Sequence, residues 1–288
     1  MFDHNETLEQ ARERNVRDAL AEDIGRGDWT GRLVPESQRL RAQVITREAA
    51  VLCGQAWLEA CLQRLDAAAT VRWHVAEGAG AAAGSCVCDI EARGRALLAV
   101  ERPALNFLQL LSATATAARR YVEAIAGASP NPRGCAILDT RKTLPGLRLA
   151  QKYAVRVGGA ANQRLGLYDG ILIKENHIAA AGGITAALQA ARALDSGVPI
   201  QVEVETRAQL EEAIGAGATE ILLDNFTPAR MREAVAVCAG RARLEASGGV
   251  DLARVREIAA TGVDCISIGR LTKDVAAVDF SMRVIEAP

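Results

Sequence analysis

Ile200-Gln201-Val202-Glu203, Glu220-Ile221-Leu222-Leu223-Asp224, Ala242-Arg243-Leu244-Glu245-Ala246-Ser247-Gly248-Gly249 and Cys265-Ile266-Ser267-Ile268-Gly269-Arg270 share one pattern. A short apolar run leads into a polar residue or glycine, and a helical stretch follows. Short apolar runs bounded by turn residues mark buried strands. The four starts lie about 20 residues apart, the length of one β/α unit. Alternating strand and helix implies a parallel sheet with right-handed crossovers. Upstream, Gly170-Ile171-Leu172-Ile173 before Lys174 and Cys135-Ala136-Ile137-Leu138 before Asp139 repeat the pattern. At least six such units in one chain favour an α/β barrel over an open sheet, and in barrels the functional groups stand at strand C-termini.

The chain before the repeat reads differently. Leu8, Ala11, Val16 and Leu20 have helical spacing over 8–22, and a turn cluster at 23–28 ends the helix. Residues 42–46 and 71–75 read as strands, with a helix over 55–65 between them. Further strands are predicted over 86–90 and 96–100. Cys86 and Cys88 alternate as strand neighbours, and His74, in a strand pattern, reads as a structural residue. At Glu101-Arg102-Pro103 the character changes, because proline at an early position favours a helix start. Mixed strands and helices here suggest a small α+β domain.

Composition narrows the class. The 288 residues carry 34 Lys+Arg against 35 Asp+Glu, a net charge of −1, and half are hydrophobic. That excludes a disordered chain and a general nucleic-acid binder, which needs a basic excess to displace counterions. Aromatics make up only 3%, so the core is built from Ala, Val, Leu and Ile. The seven cysteines are odd in number and contain no CxxC, which suggests neither a disulfide frame nor a zinc ribbon. No apolar run is long enough to span a bilayer. With a polar, acidic N-terminus and thiols suited to a reducing compartment, the expected location is cytoplasmic, with no membrane partner.

Charge is unevenly placed. From Arg133 to Lys174 there are eight basic residues and two acidic ones, Asp139 and Asp169. Arg141, Lys142 and Lys174 directly follow predicted strands and should converge on one mouth. Converging cations imply a polyanionic ligand, bound through charge-assisted hydrogen bonds. Glu203 and Asp224 end two later strands. As hard oxygen donors they suit Mg²⁺, which usually bridges substrate phosphates, or they could receive sugar hydroxyls. Ser247-Gly248-Gly249 and Gly269 would expose backbone N–H groups to a phosphate. The ordered set describes a site for a phosphorylated sugar and a small carboxylated partner.

Asp139-Thr140-Arg141-Lys142-Thr143-Leu144-Pro145-Gly146-Leu147-Arg148, Arg164-Leu165-Gly166-Leu167-Tyr168-Asp169, Ile173-Lys174-Glu175-Asn176-His177, Leu222-Leu223-Asp224-Asn225-Phe226 and Glu245-Ala246-Ser247-Gly248-Gly249 occur in this order. In these segments the chain resembles the quinolinate phosphoribosyltransferase family, over nearly its whole length. The resemblance implies an N-terminal α/β sandwich over 1–112 and a seven-stranded α/β barrel over 113–272, a type II phosphoribosyltransferase-like α/β fold. It also implies a last helix over 273–288 packing back on the first domain. The partners implied are quinolinate and phosphoribosyl pyrophosphate with Mg²⁺, the products nicotinate mononucleotide, pyrophosphate and CO₂. A homodimer with shared active sites is implied, a hexamer being the alternative assembly. Carried over by position, Lys142, Lys174, Glu203 and Asp224 are the catalytic candidates, with Glu203 and Asp224 toward the metal. Arg102 would reach quinolinate from the partner subunit, and Arg141, Arg164 and Lys174 would hold its carboxylates. Lys142, Ser247, Gly248 and Gly269 would surround the phosphoribosyl group, and Lys273 would close over a phosphate. One departure stands out: the family has His where this chain has Gln163, expected to face the dicarboxylate as a neutral amide.

The residues alone leave other readings open. Lys174 at a strand end could be the amine of a Schiff-base aldolase. The chain could also use another pyridine acid, or bind phosphoribosyl pyrophosphate without catalysis.

Overall fold

The computed structural model describes residues 5–286, which fall into two compact units. The first holds the chain up to Arg119, Thr143–Gly159 and the segment from Asp274 onward; the second holds Arg120–Lys142 and Ala160–Lys273. Residues 143–159 thus join the first unit, which a single cut near residue 112 does not capture. No helix among the described residues is long and apolar enough to cross a membrane.

In the first unit, α1 (Leu8–Ile24) starts at a capping box between Thr7 and Gln10. β1 (Arg39–Thr46) alternates, burying Leu40, Ala42, Val44 and Thr46. β2 (Ala50–Val51), α2 (Gln55–Leu65), β3 (Thr70–Trp73), β4 (Gly80–Ala81) and β5 (Cys86–Arg93) follow. α2 buries the stripe Trp57, Leu58, Cys61 and Leu62. Its N-terminus has no side-chain cap from Gly54; the Glu77 carboxylate instead accepts from the Gly54 and Gln55 amides at 2.9 and 3.2 Å.

Two sequence expectations fail here. Residues 96–100 are not a strand: α3 (Gly94–Ile125) already includes them and contains Pro103 in its interior. The apolar run is ambiguous by itself, and its continuation decides, because Leu97, Val100, Ala104, Leu108 and Leu111 are buried at helical spacing. Residues 274–286 do not form a helix either, and 287 and 288 lie outside the described residues. Phe280–Glu286 is an antiparallel strand, with Phe280, Met282 and Val284 opposite Thr46, Val44 and Ala42 of β1. Period-two alternation of apolar residues lets that segment extend the sheet, and Phe280 is 3% exposed. The last short helix, Arg270–Lys273, ends before it. α4 (Arg148–Val157) packs Tyr153 against Trp57, ring centroids 5.5 Å apart.

The second unit carries β6 (Ala136–Leu138), β7 (Ile171–Ile173), α5 (Glu175–Ala181), α6 (Ile184–Ala193), β8 (Ile200–Val204), α7 (Arg207–Gly215), β9 (Glu220–Asp224), α8 (Pro228–Cys238), β10 (Arg243–Ser247), α9 (Val255–Ala259), β11 (Cys265–Ser267) and α10 (Arg270–Lys273); the C-terminal strand of the first unit is β12 (Phe280–Glu286). Side chains of Thr206 and Thr227 cap α7 and α8. The six strands form one parallel sheet in the order β6-β11-β10-β9-β8-β7. Beyond β6 a single parallel bridge joins Leu138 to Ala161. The strands thus follow chain order from β7 to β11 with β6 next, and residue 161 adds one bridge beyond β6 rather than a full strand. Arg164 Nη1 donates to the Gly170 carbonyl at 2.8 Å, joining the stretch after residue 161 to the residue just before β7.

Candidate active site

Partner residues in a parallel pair lie on the same side of the sheet, and successive residues on opposite sides. Glu203 pairs with Leu222, Leu222 with Glu245, and Asp224 with Ser247. Glu203, Asp224 and Ser247 therefore share one face, and Gln201 and Glu245 share it too. The other face carries Val202, Val204, Ile221, Leu223, Leu244 and Ala246, none more than 2% exposed. Apolar residues take the face under the helices and leave the polar ones on the inner face.

A hydrogen-bonded chain crosses that inner face. Asp139, just after β6 and 0% exposed, accepts from Asn162 Nδ2 at 2.6 Å and from the Gln163 amide at 2.9 Å. This pins the segment that leads into Arg164. Gln163 Nε2 donates to Gln201 Oε1 at 3.0 Å, and Gln201 Nε2 donates to Glu245 Oε2 at 2.9 Å. Glu245 is 3% exposed and its Oε1 has no hydrogen-bond partner among the described residues. Burial pushes its carboxyl up from the ordinary range, against hydrogen bonds that pull it down.

Of the candidate cations, Arg141 and Arg164 lie near enough for their charges to act on each other. Burial, and then the charge of Arg141, pushes the Arg164 guanidinium down from its usual value; Asp169 acts in the opposite sense. Two guanidinium groups that oppose each other in this way have the charge and donor geometry that suit an anion. Lys174 Nζ lies 3.1 Å from Glu203 Oε2, with the lysine side chain 44% and the glutamate 11% exposed. The Lys142 backbone is fixed from two sides, its amide donating to Thr140 Oγ1 at 3.1 Å and its carbonyl accepting from Thr272 Oγ1 at 2.8 Å. A Cβ on Gly269 would come within 3.1 Å of Lys142 Cδ, so glycine there leaves room for the lysine stem.

Asp224 ends β9 and accepts from Asn225 Nδ2 at 2.7 Å. Gly248 has φ +106°, and a Cβ there would overlap the Asn225 side chain. Only glycine lets the chain turn back at this point. Glu203 and Asp224 on adjacent strands are hard oxygen donors that suit Mg²⁺, with Glu203 already neutralised by Lys174. Lys273 is exposed at the end of α10. Arg102 belongs to the first unit, on α3, with its side chain 56% exposed and 3.8 Å from Glu101. The basic block divides likewise: Arg148, Lys152 and Arg156 lie in the first unit, on α4.

Family models for the N-terminal and C-terminal domains of quinolinate phosphoribosyl transferase match residues 28–112 and 114–283. The chain belongs to the quinolinate phosphoribosyltransferase family. A nicotinate-nucleotide pyrophosphorylase [carboxylating] of Mycobacterium leprae is 38% identical, covering 93% of this chain and 95% of that protein. A quinolinate phosphoribosyltransferase [decarboxylating] of Nicotiana tabacum is 36% identical, covering 92% and 80%. The solved structure of the nicotinate-nucleotide pyrophosphorylase from Francisella tularensis superposes with a TM-score of 0.91 at 40% identity, over 98% of this chain and 100% of that one.

In this member of the family, sequence reading found the strand-end cations and carboxylates but assigned nothing to Asp139, Gln201 or Glu245. The available signal was a polar residue inside an apolar strand: Gln201 between Ile200 and Val202, and Glu245 between Leu244 and Ala246. A buried polar group at such a place needs a partner.

Proposed function

We infer that this chain transfers the phosphoribosyl group of phosphoribosyl pyrophosphate to quinolinate with decarboxylation, giving nicotinate mononucleotide, pyrophosphate and CO₂ in NAD biosynthesis. The observation that carries the residue assignments is the opposed pair Arg141 and Arg164 in the same unit as Glu203, Asp224 and Ser247 on one sheet face. Arg141, Arg164 and Lys174 hold the two carboxylates of quinolinate, and Arg102 reaches them from the partner of a homodimer. Lys142, Ser247, Gly248 and Gly269 take the phosphoribosyl group, with Lys273 closing over a phosphate. Glu203 and Asp224 would hold Mg²⁺, which would neutralise charge on the pyrophosphate leaving group. The setting is cytoplasmic.

The pyridine nitrogen attacks the ribose C1 as the bond from C1 to pyrophosphate breaks. This passes through a cationic, oxocarbenium-like state, so positioning and charge stabilisation are the levers. Asp224, not neutralised by a neighbouring lysine as Glu203 is, places negative charge beside the sugar. Loss of CO₂ then leaves an electron pair on the ring carbon next to the pyridinium nitrogen, where the nearby cations stabilise it until a proton arrives. No covalent nucleophile is needed. A Schiff-base role for Lys174 is disfavoured, because a partly exposed ammonium 3.1 Å from a carboxylate is not a desolvated amine. The test is release of pyrophosphate and CO₂ from quinolinate, with nicotinate as the comparison. Pyrophosphate release with nicotinate in preference to quinolinate would overturn the substrate assignment.

A further inference from the structure

The sheet β12-β1-β5-β3 carries, on the face of Asp89, residues with no role in the phosphoribosyl transfer proposed above. Along β1 and β5 the register runs Gln43 to Asp89 and Val44 to Cys88, then jumps to Ile45 opposite Cys86. Val87 is therefore an extra residue, a β-bulge. It leaves Val87 and Cys88 both 0% exposed although they are neighbours. In a regular strand Cys86 and Asp89, three positions apart, would point to opposite faces. A bulge re-aims side chains, and here it brings Cys86 onto the face that holds Asp89.

His74, just past the edge strand β3, completes the cluster. Its backbone amide donates to the Val87 carbonyl at 2.9 Å, so the bulge itself fixes its place. His74 Nε2 lies 2.8 Å from Asp89 Oδ2, and Cys86 Sγ lies 4.0 Å from Asp89 Oδ1. The three potential ligand atoms lie within 4.8 Å of one another. We propose that Cys86, His74 and Asp89 form a zinc site on the N-terminal sheet, completed by a water molecule.

The donor chemistry selects the metal. A sulfur and an imidazole with one carboxylate suit Zn²⁺ and not Mg²⁺ or Ca²⁺, which take oxygen. Tetrahedral zinc with ligands at about 2.0–2.3 Å sets them roughly 3.5 Å apart. Reaching that spacing asks the His74 and Asp89 atoms, 2.8 Å apart, to open slightly and the cysteine sulfur to draw nearer. Gln43 Nε2 donates to Asp89 Oδ1 at 3.0 Å, the kind of outer hydrogen bond that orients a ligating carboxylate. Thiolate and carboxylate together balance the dication. The Cys86 thiol, pushed up by burial and by Asp89, would pass its proton to solvent as the metal enters. Zinc would tie the edge strand β3 to β5 at the bulge.

The experiment uses the full chain after chelator stripping, with Zn²⁺ alone titrated against a chromophoric competitor and Co²⁺ as the spectroscopic probe. A single equivalent is expected, with a sulfur-to-cobalt charge-transfer band and a zinc-dependent rise in Tm. Cys86→Ser should remove the band, weaken zinc binding at least tenfold and abolish the Tm rise, with phosphoribosyl transfer unchanged. His74→Ala should weaken zinc binding to a similar degree. Absence of zinc binding by the parent overturns the proposal. So does a band that survives in Cys86→Ser, or cobalt bound with no sulfur band, as at an all-oxygen site.

Discussion

Gln163 Nε2 donates to Gln201 Oε1 at 3.0 Å, and Gln201 passes the connection to the buried carboxyl of Glu245. The residue that departs from the family's histidine was expected to offer its amide to a dicarboxylate. The structure commits an N–H of that amide to β8, and the neutral group becomes part of the inner-face network. An amide donates and accepts in fixed places without titrating, so this link does not change with pH on the Gln163 side.

Glu245 gives the network a pH signature. Burial raises its folded pKa above the unfolded value of about 4.3, so in between the native state holds a proton that the unfolded chain has lost. Stability from this group is therefore full below the unfolded pKa and declines as pH rises through the folded one. Glu245→Gln cannot ionise. Relative to the parent it should gain about 1.4 kcal/mol for each pKa unit of the shift on going from acid to alkaline pH. Urea unfolding of both proteins at about pH 5 and about pH 8 measures this. An identical difference at the two pH values would mean that Glu245 does not titrate with folding.

The charge of Arg141 opposes that of Arg164, and a dianion held between them would relieve that opposition. Quinolinate should therefore raise Tm, by the equivalent of about 2.7 kcal/mol at a hundred times Kd. Arg164→Gln removes a charge-assisted bond of about 1.5–3 kcal/mol and should weaken quinolinate about ten- to a hundredfold. Thermal shift across a quinolinate titration gives both numbers. Equal shifts in parent and variant would remove Arg164 from the quinolinate site.

The second unit was readable because each strand carries its own punctuation. The run 220–224 closes on Asp224 and the run 243–247 on Ser247, and parallel β/α order then forces these ends to the same edge of the sheet. The first unit was less readable at its joints. Residues 96–100 are apolar in either a strand or a helix, and only tertiary burial of Leu97, Val100 and Ala104 separates the two. Phe280–Glu286 alternates Phe280, Met282 and Val284, but that short pattern becomes a strand only because the edge of β1 is available to pair with it. The bulge at Val87 was hidden for the same reason, since it exists only in the register against β1.

Asp224 and Glu203 should fail differently. Glu203 is neutralised by Lys174, whereas the Asp224 carboxylate accepts from the neutral Asn225 amide and ends the strand that faces Ser247. Asp224→Ala should weaken magnesium–phosphoribosyl pyrophosphate by about tenfold or more, the scale of a lost charge-assisted contact. Quinolinate binding should change much less. Separate calorimetric titrations of the two substrates decide it, and a larger loss for quinolinate would reverse the assignment.

Arg102 tests whether the site is shared. It lies in the first unit, exposed on α3, while Lys174 lies in the second. Arg102→Ala and Lys174→Ala should each be inactive as homodimers. When the two are mixed and allowed to exchange subunits, a hybrid contains one copy of each. If Arg102 serves the partner's site, both changes fall in one site of the hybrid and the other is intact. Random exchange makes about half the dimers hybrids, each with one working site, so about a quarter of parental activity should return. If Arg102 serves its own subunit, each hybrid site carries one lesion and nothing returns. Native mass spectrometry of the mixture establishes that hybrids have formed, and silence in a sample rich in hybrids would place Arg102 outside any shared site.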